Sequence, residues 1–247
     1  MINRDRTLEI WHSILKTSLK IPGAKINRKK YLENVLSKRC TGEQVEAAIK
    51  SSPAEADIPV GIIEEISRDC INSHTAQAAA LSFLAGLPGG WWMFGTITAD
   101  LTQFYWQVIR LMQKLAYLYG WPDLFEGNSI DDETLLRIKI LLSVMFGSRE
   151  AVLLAAKLSK RLTVQIAKDL PQKLFTRYGV YTLAVQAAKW IGIRASQESF
   201  ARGVSKAIPL LGGYVSAGVS LLLMKKMGNN LKKYLSEPIP AGFLLKP

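Results

Sequence analysis

Asp100, Gln103, Gln107, Arg110 and Lys114 are separated by 3, 4, 3 and 4 residues. On an α-helix that spacing draws a single stripe. A carboxylate, two amides and two cations in one row have the chemistry to hold an anionic or lipidic head group, or the acid of a partner. The same pattern also describes the solvated face of an amphipathic helix. Leu101, Phe104, Tyr105, Val108, Ile109 and Leu111 flank the stripe, so it borders an apolar surface. Asp100 is its least ordinary member, because it ends a run from Ile71 to Ala99 that contains no formal charge. A carboxylate buried in such surroundings requires a partner, and the basic residues of 151–206 are the expected source.

Other chemistries find little support. Cys70 and His74 are one helical turn apart with Asp69 adjacent, but no second histidine is near. The only other histidine and cysteine, His12 and Cys40, are distant in sequence. No CxxC, HExxH or Gly-x-Ser-x-Gly motif occurs. Asp131, Asp132 and Glu133 read as a helix start, where acids complement the helix dipole. No catalytic residue, metal site or cofactor is therefore expected, and the reading leans away from an enzyme.

Glycine recurs in a pattern. Gly89-Gly90 precedes Trp91 and then Gly95; Gly212-Gly213 precedes Tyr214 and then Gly218; a proline lies just upstream of each pair. Backbone amides freed at such a helix start can bind phosphate, yet neither pair is a P-loop, since no Gly-Lys-Ser/Thr follows. The favoured reading is structural: these glycines let helices approach closely or change direction. Trp91 and Trp92 would then pack on the thin, alanine-rich helix before them.

The elements that must position these residues read as helix after helix, with no sustained period-2 alternation and no Asn-Gly or Asp-Gly hairpin. Leu8, Trp11, Leu15 and Leu19 share one face of the first, with Ile10 and Ile14 beside it. Thr41 and Gln44 fit a capping box. Asp57 is the expected N-cap, with Pro59 in the first turn, of a helix that leads into "HTAQAAALSFLAGL". A long helix is predicted over roughly 91–119, stopped by "GWPD", and another from Glu133 to Gly147. The predicted fold is all-α: a single multi-helix bundle whose two Gly-Gly-containing apolar elements lie at its centre. A basic helical segment (1–50), the main helical domain (51–237) and a tail (238–247) are the expected divisions.

The chain has 247 residues, 32 Lys/Arg and 20 Asp/Glu, a net charge of +12. Residues 1–50 carry 11 basic against 5 acidic groups, residues 51–150 carry 6 against 12, and residues 151–247 carry 15 against 3. Such asymmetry points to an anionic partner, or to compensation within the molecule. No recognition helix, RNP motif or zinc finger is readable, so nucleic acid is not the expected partner. Ala207–Met224 is apolar, 18 residues long, and followed at once by Lys225, Lys226, Lys232 and Lys233. Together with Trp91 and Trp92, these lysines form the expected contact with an anionic membrane surface. The competing reading makes both apolar elements a buried helix pair. Two cysteines and the lack of an apolar leader fit a cytoplasmic protein peripheral to the inner face of the membrane.

The stretches "GLPGGWWMFGTITADLTQFYWQVIRLMQKLAYLYGWPDL" (86–124) and "KAIPLLGGYVSAGVSLLLMKKMGNNLKKYL" (206–235) resemble the EcsC family of bacterial proteins. The shared features are a Gly-Leu-Pro-Gly-Gly element, an Ala-Asp helix, a Leu-Ala-Tyr-Leu-Tyr-Gly-Trp-Pro run and a late Ile-Pro-x-x-Gly-Gly element. The resemblance spans about residues 55–235 and leaves residues before 50 unmatched. It implies a helical, membrane-associated accessory or effector protein linked to transport, secretion or envelope stress, with a membrane protein such as an ABC transporter as partner. The alternative is a soluble helical module holding a small anionic or lipidic ligand along the 100–114 stripe.

Overall fold

The computed structural model describes residues 13–85, 97–125, 132–147 and 209–236. Among them lie seven helices and no strand, as the all-α prediction requires. In chain order they are α1 (13–20), α2 (Arg28–Leu36), α3 (Gly42–Lys50), α4 (Val60–Ala85), α5 (Ile97–Leu118), α6 (Asp132–Met145) and α7 (Pro209–Ser236).

Helix α5 is the axis of the packing. Phe104, Tyr105, Val108, Leu111, Met112 and Leu115 recur at intervals of one, three and four residues, and all are buried. That width of apolar surface is more than one neighbour can cover, and α2, α4, α6 and α7 all pack against α5. Ile14, Leu15 and Leu19 of α1, Leu32 and Leu36 of α2 and Val45 and Ala48 of α3 join the same core. The described part of the basic N-terminal segment is thus built into the bundle.

The local signals act as their chemistry dictates. Thr41 Oγ1 accepts from the Gln44 amide while Gln44 Oε1 accepts from the Thr41 amide, the reciprocal capping box. At the end of α5, Gly120 takes φ +84°. Its amide donates to the Tyr117 carbonyl and the Trp121 amide to the Ala116 carbonyl, which closes the helix as a Schellman turn. Gly147, at φ +85°, stops α6. There Asn230 Nδ2 of α7 donates to the Met145 carbonyl at 3.0 Å, satisfying an acceptor that the helix end leaves open.

Three expectations change. Asp57 is not the N-cap of α4; it stands at φ +53°, and the carbonyl that first receives helical amides is that of Pro59. Asp57 instead closes the turn of residues 53–57 that joins α3 to α4. Gly212-Gly213 does not break the chain's direction, because α7 runs unbroken from Pro209 to Ser236. Gly218 is not a close-approach glycine: it is exposed, with nothing within 4 Å of a Cβ placed there. The close approach is at Gly228, where an added Cβ would fall 2.9 Å from Ile71 Cγ1 and 3.0 Å from Ile71 Cγ2. Its missing side chain is what lets α7 lie against α4 there.

Candidate functional site

The polar stripe of α5 faces inward rather than lying wholly in solvent. Gln107 is buried, and Gln103, Arg110 and Lys114 are half-buried. Asp100 lies in the first turn of α5; its side chain and the residues of 151–206 fall outside the described residues, as do Trp91, Trp92, Gly89, Gly90 and Gly95.

What the stripe meets is His74, from the middle of α4, which is 1% exposed. His74 Nδ1 lies 3.2 Å from Gln107 Oε1 and its Nε2 lies 3.0 Å from Lys114 Nζ. An amide oxygen only accepts and an ammonium only donates. The ring is therefore neutral, with its proton on Nδ1 and its lone pair on Nε2. Burial, and then the positive charges of Lys114 and Arg110, push the His74 pKa from 6.5 down to about 3, and the Gln107 contact opposes that only in part.

Arg110 and Lys114 are one turn apart on α5. The Arg110 guanidinium stacks 4.5 Å from the centre of the Trp106 ring, and Lys114 Nζ sits 5.8 Å from that of Tyr31. Burial lowers the pKa of both; proximity to Arg110 lowers that of Lys114 further, while the neighbouring Cys70 opposes it. The loop between α1 and α2 closes over this end of the stripe. Gly23, at φ +76°, brings its backbone to about the contact distance of Arg110 and Trp106: a Cβ there would be 3.9 Å from each. Gln113, fully buried, anchors the loop by accepting from the Ile26 amide at 2.9 Å and donating to the Ala24 carbonyl at 2.7 Å.

Three donor groups here lack the acceptors they would ordinarily have. Arg110 Nε and Trp106 Nε1 are buried with no hydrogen-bond partner among the described residues. Among the described residues Lys114 makes one hydrogen bond, to His74. Among the described residues no carboxylate reaches salt-bridge distance of either cation; the ion pairs are Arg39 with Glu65 and Asp69, and Lys50 with Glu46. In the sequence His74 has only Cys70 and Asp69 for company, which suggests no metal site. Its place in the charge-free run from Ile71 to Ala99 is the signal the sequence offers. Among the described residues, no group of three metal-ligating side chains comes together.

The second region is the outer face of α7. Ser220, Met224, Met227, Gly228 and Leu231 point into the core. Gly218, Leu221, Leu222, Lys225, Lys226 and Asn229 are exposed on the other side. Leu222 is 70% exposed and Leu221 40%, a pair of large apolar side chains one turn ahead of two exposed lysines. Lys233 continues this face, while Lys232 is half-buried and does not project as freely as its neighbour. No described helix is long and apolar enough to cross a membrane.

A shallow groove of about 510 Å³ runs between the start of α2, the end of α3 and the turn after α5. Its guanidinium, Arg28, is already engaged with the carbonyls of Ala48, Ile49, Ser51 and Trp121, so it serves as a clamp between α3 and that turn.

No family model, curated protein or solved structure matches this chain.

Proposed function

We propose that this is a non-enzymatic helical protein that docks peripherally on an anionic membrane surface through the outer face of α7. The observation that carries the reading is the juxtaposition of exposed Leu221 and Leu222 with exposed Lys225 and Lys226 on one helix face. Leucine side chains left in water forgo roughly 1.5–3 kcal/mol each if fully buried. Lysines near an anionic surface contribute about 1 kcal/mol apiece. A bilayer interface satisfies both halves of the face at once, the apolar half in the acyl boundary and the basic half among the head groups. The net charge of +12 adds long-range attraction to the same partner. The resemblance to the EcsC family supports the same placement, on the inner face of a membrane and beside a transport protein such as an ABC transporter.

Flotation with vesicles tests this. Vesicles containing phosphatidylserine should carry the protein up the gradient, and neutral phosphatidylcholine vesicles should not. Binding should weaken as salt rises, because charges are screened over about 8 Å at physiological ionic strength. Lys225→Glu with Lys226→Glu, and separately Leu222→Asp, should each reduce flotation. Equal flotation with neutral and acidic vesicles, or no loss in either variant, overturns the reading.

A further inference from the structure

We propose that Arg110 and Lys114 form a binding site for a tetrahedral oxoanion of the phosphate type, either free or as the head group of a lipid. The proposal goes beyond the docking face of α7 and does not depend on it.

The argument is one of supply and demand. Arg110, Lys114 and the Trp106 indole N–H supply donors only; none of the three can accept. Beside them the imidazole Nε2 and the Gln107 oxygen are acceptors, but each already has its partner. What remains is a surplus of N–H groups and two positive charges, with no carboxylate near them among the described residues. A half-buried cation without a counter-ion is costly, and two cations one turn apart repel. The complementary ligand carries several acceptor oxygens and negative charge, and no donor is needed from it.

Geometry narrows the class. The Arg110 guanidinium carbon lies over the Trp106 ring, 4.5 Å from its centre, and a guanidinium is a planar fork suited to two oxygens of one anion. Among the described residues Lys114 is held through one of its three N–H groups, by His74, which leaves two for a third oxygen. Arg110 and Lys114 are both half-buried rather than sealed, so their outer edges can be reached. The neutral His74 reinforces the site: it orients the ammonium without compensating its charge.

Inorganic phosphate is the first probe, titrated at pH 7 against chloride at matched ionic strength. The readout is the ring resonance of His74, one of only two histidines in the chain. Phosphate should shift it saturably, since the anion draws on the lysine that His74 holds. Arg110→Gln and Lys114→Gln should each weaken phosphate binding by about tenfold or more, the usual weight of a lost charge-assisted bond. Arg110→Lys and Lys114→Arg, which keep the charge, should retain part of it and guard against variants that merely misfold. A short-chain phosphatidic acid below its micelle concentration forms the second arm. A shift at lower concentration than phosphate assigns the site to a head group, and a shift with phosphate alone assigns it to a soluble anion. Lys225→Glu with Lys226→Glu should leave the phosphate response intact, so failure of the docking face and failure of this site are distinguishable. No saturable shift with either probe, or full binding in both glutamine variants, overturns the proposal.

Discussion

His74 Nε2 and Lys114 Nζ lie 3.0 Å apart, and this contact exists only while the imidazole is uncharged. A proton on Nε2 would place two cations in contact inside the bundle, with Arg110 one turn away. The pairing therefore couples the centre of the molecule to pH, and it gives the first prediction.

The folded protein should lose stability on acidification starting near pH 6.5. His74 ordinarily titrates at 6.5 and is held at about 3 when folded. Between those values the unfolded chain binds a proton that the folded chain refuses. The stabilisation is thus complete above about pH 6.5 and declines as pH falls, by roughly 1.4 kcal/mol per pH unit. Unfolding free energies from urea titrations at pH 7 and pH 5 should differ by about 2 kcal/mol. In His74→Gln, which cannot take up the proton, the dependence over that range should flatten. A slope unchanged by that substitution would assign the acid sensitivity elsewhere.

Two glycines of α7 should respond oppositely to the same substitution. Gly228→Ala should destabilise by about 1–3 kcal/mol, because the new methyl group meets the branched Ile71 side chain at 2.9 Å. Gly218→Ala meets open space and should stabilise by roughly 0.5–1 kcal/mol through helix propensity. Thermal denaturation of the two variants decides it.

Gln113 should be a stability residue rather than a binding one. Its side chain is fully buried and engages Ile26, Ala24 and its own helix at Ile109. Gln113→Met preserves the shape and leaves the loop amide and carbonyl without partners. The expected cost is about 2–3 kcal/mol. Phosphate binding by the variant at low temperature should persist if the loop still closes over Arg110.

Arg28→Lys should weaken the clamp between α3 and the turn after α5. The guanidinium reaches four carbonyls with three nitrogens; a single ammonium cannot span them. A loss of about 1–2 kcal/mol is expected, with faster amide exchange at the C-terminal end of α3 as the local sign.

The helices themselves were legible in the sequence, because helix formation is governed by neighbours within four residues. Thr41 and Gln44 cap α3, Gly120 stops α5, and the apolar spacing from Phe104 to Leu115 marks the buried side, all as their local order requires. The stripe of Gln103, Gln107, Arg110 and Lys114 was legible for the same reason. Periodicity states which residues share a face; it does not state what that face meets. His74 reaches Gln107 and Lys114 across 33 and 40 positions of sequence, and only the packing of α4 on α5 joins them. Gly218 and Gly228 are alike as letters in one helix, yet one borders solvent and the other Ile71. The rotation of α7 about its own axis decides between them, as it decides that Leu221 and Leu222 are left outside. Helix identity is a local free energy, whereas burial and the neutralisation of a histidine arise from contacts between distant segments, and those exist only once the bundle has closed.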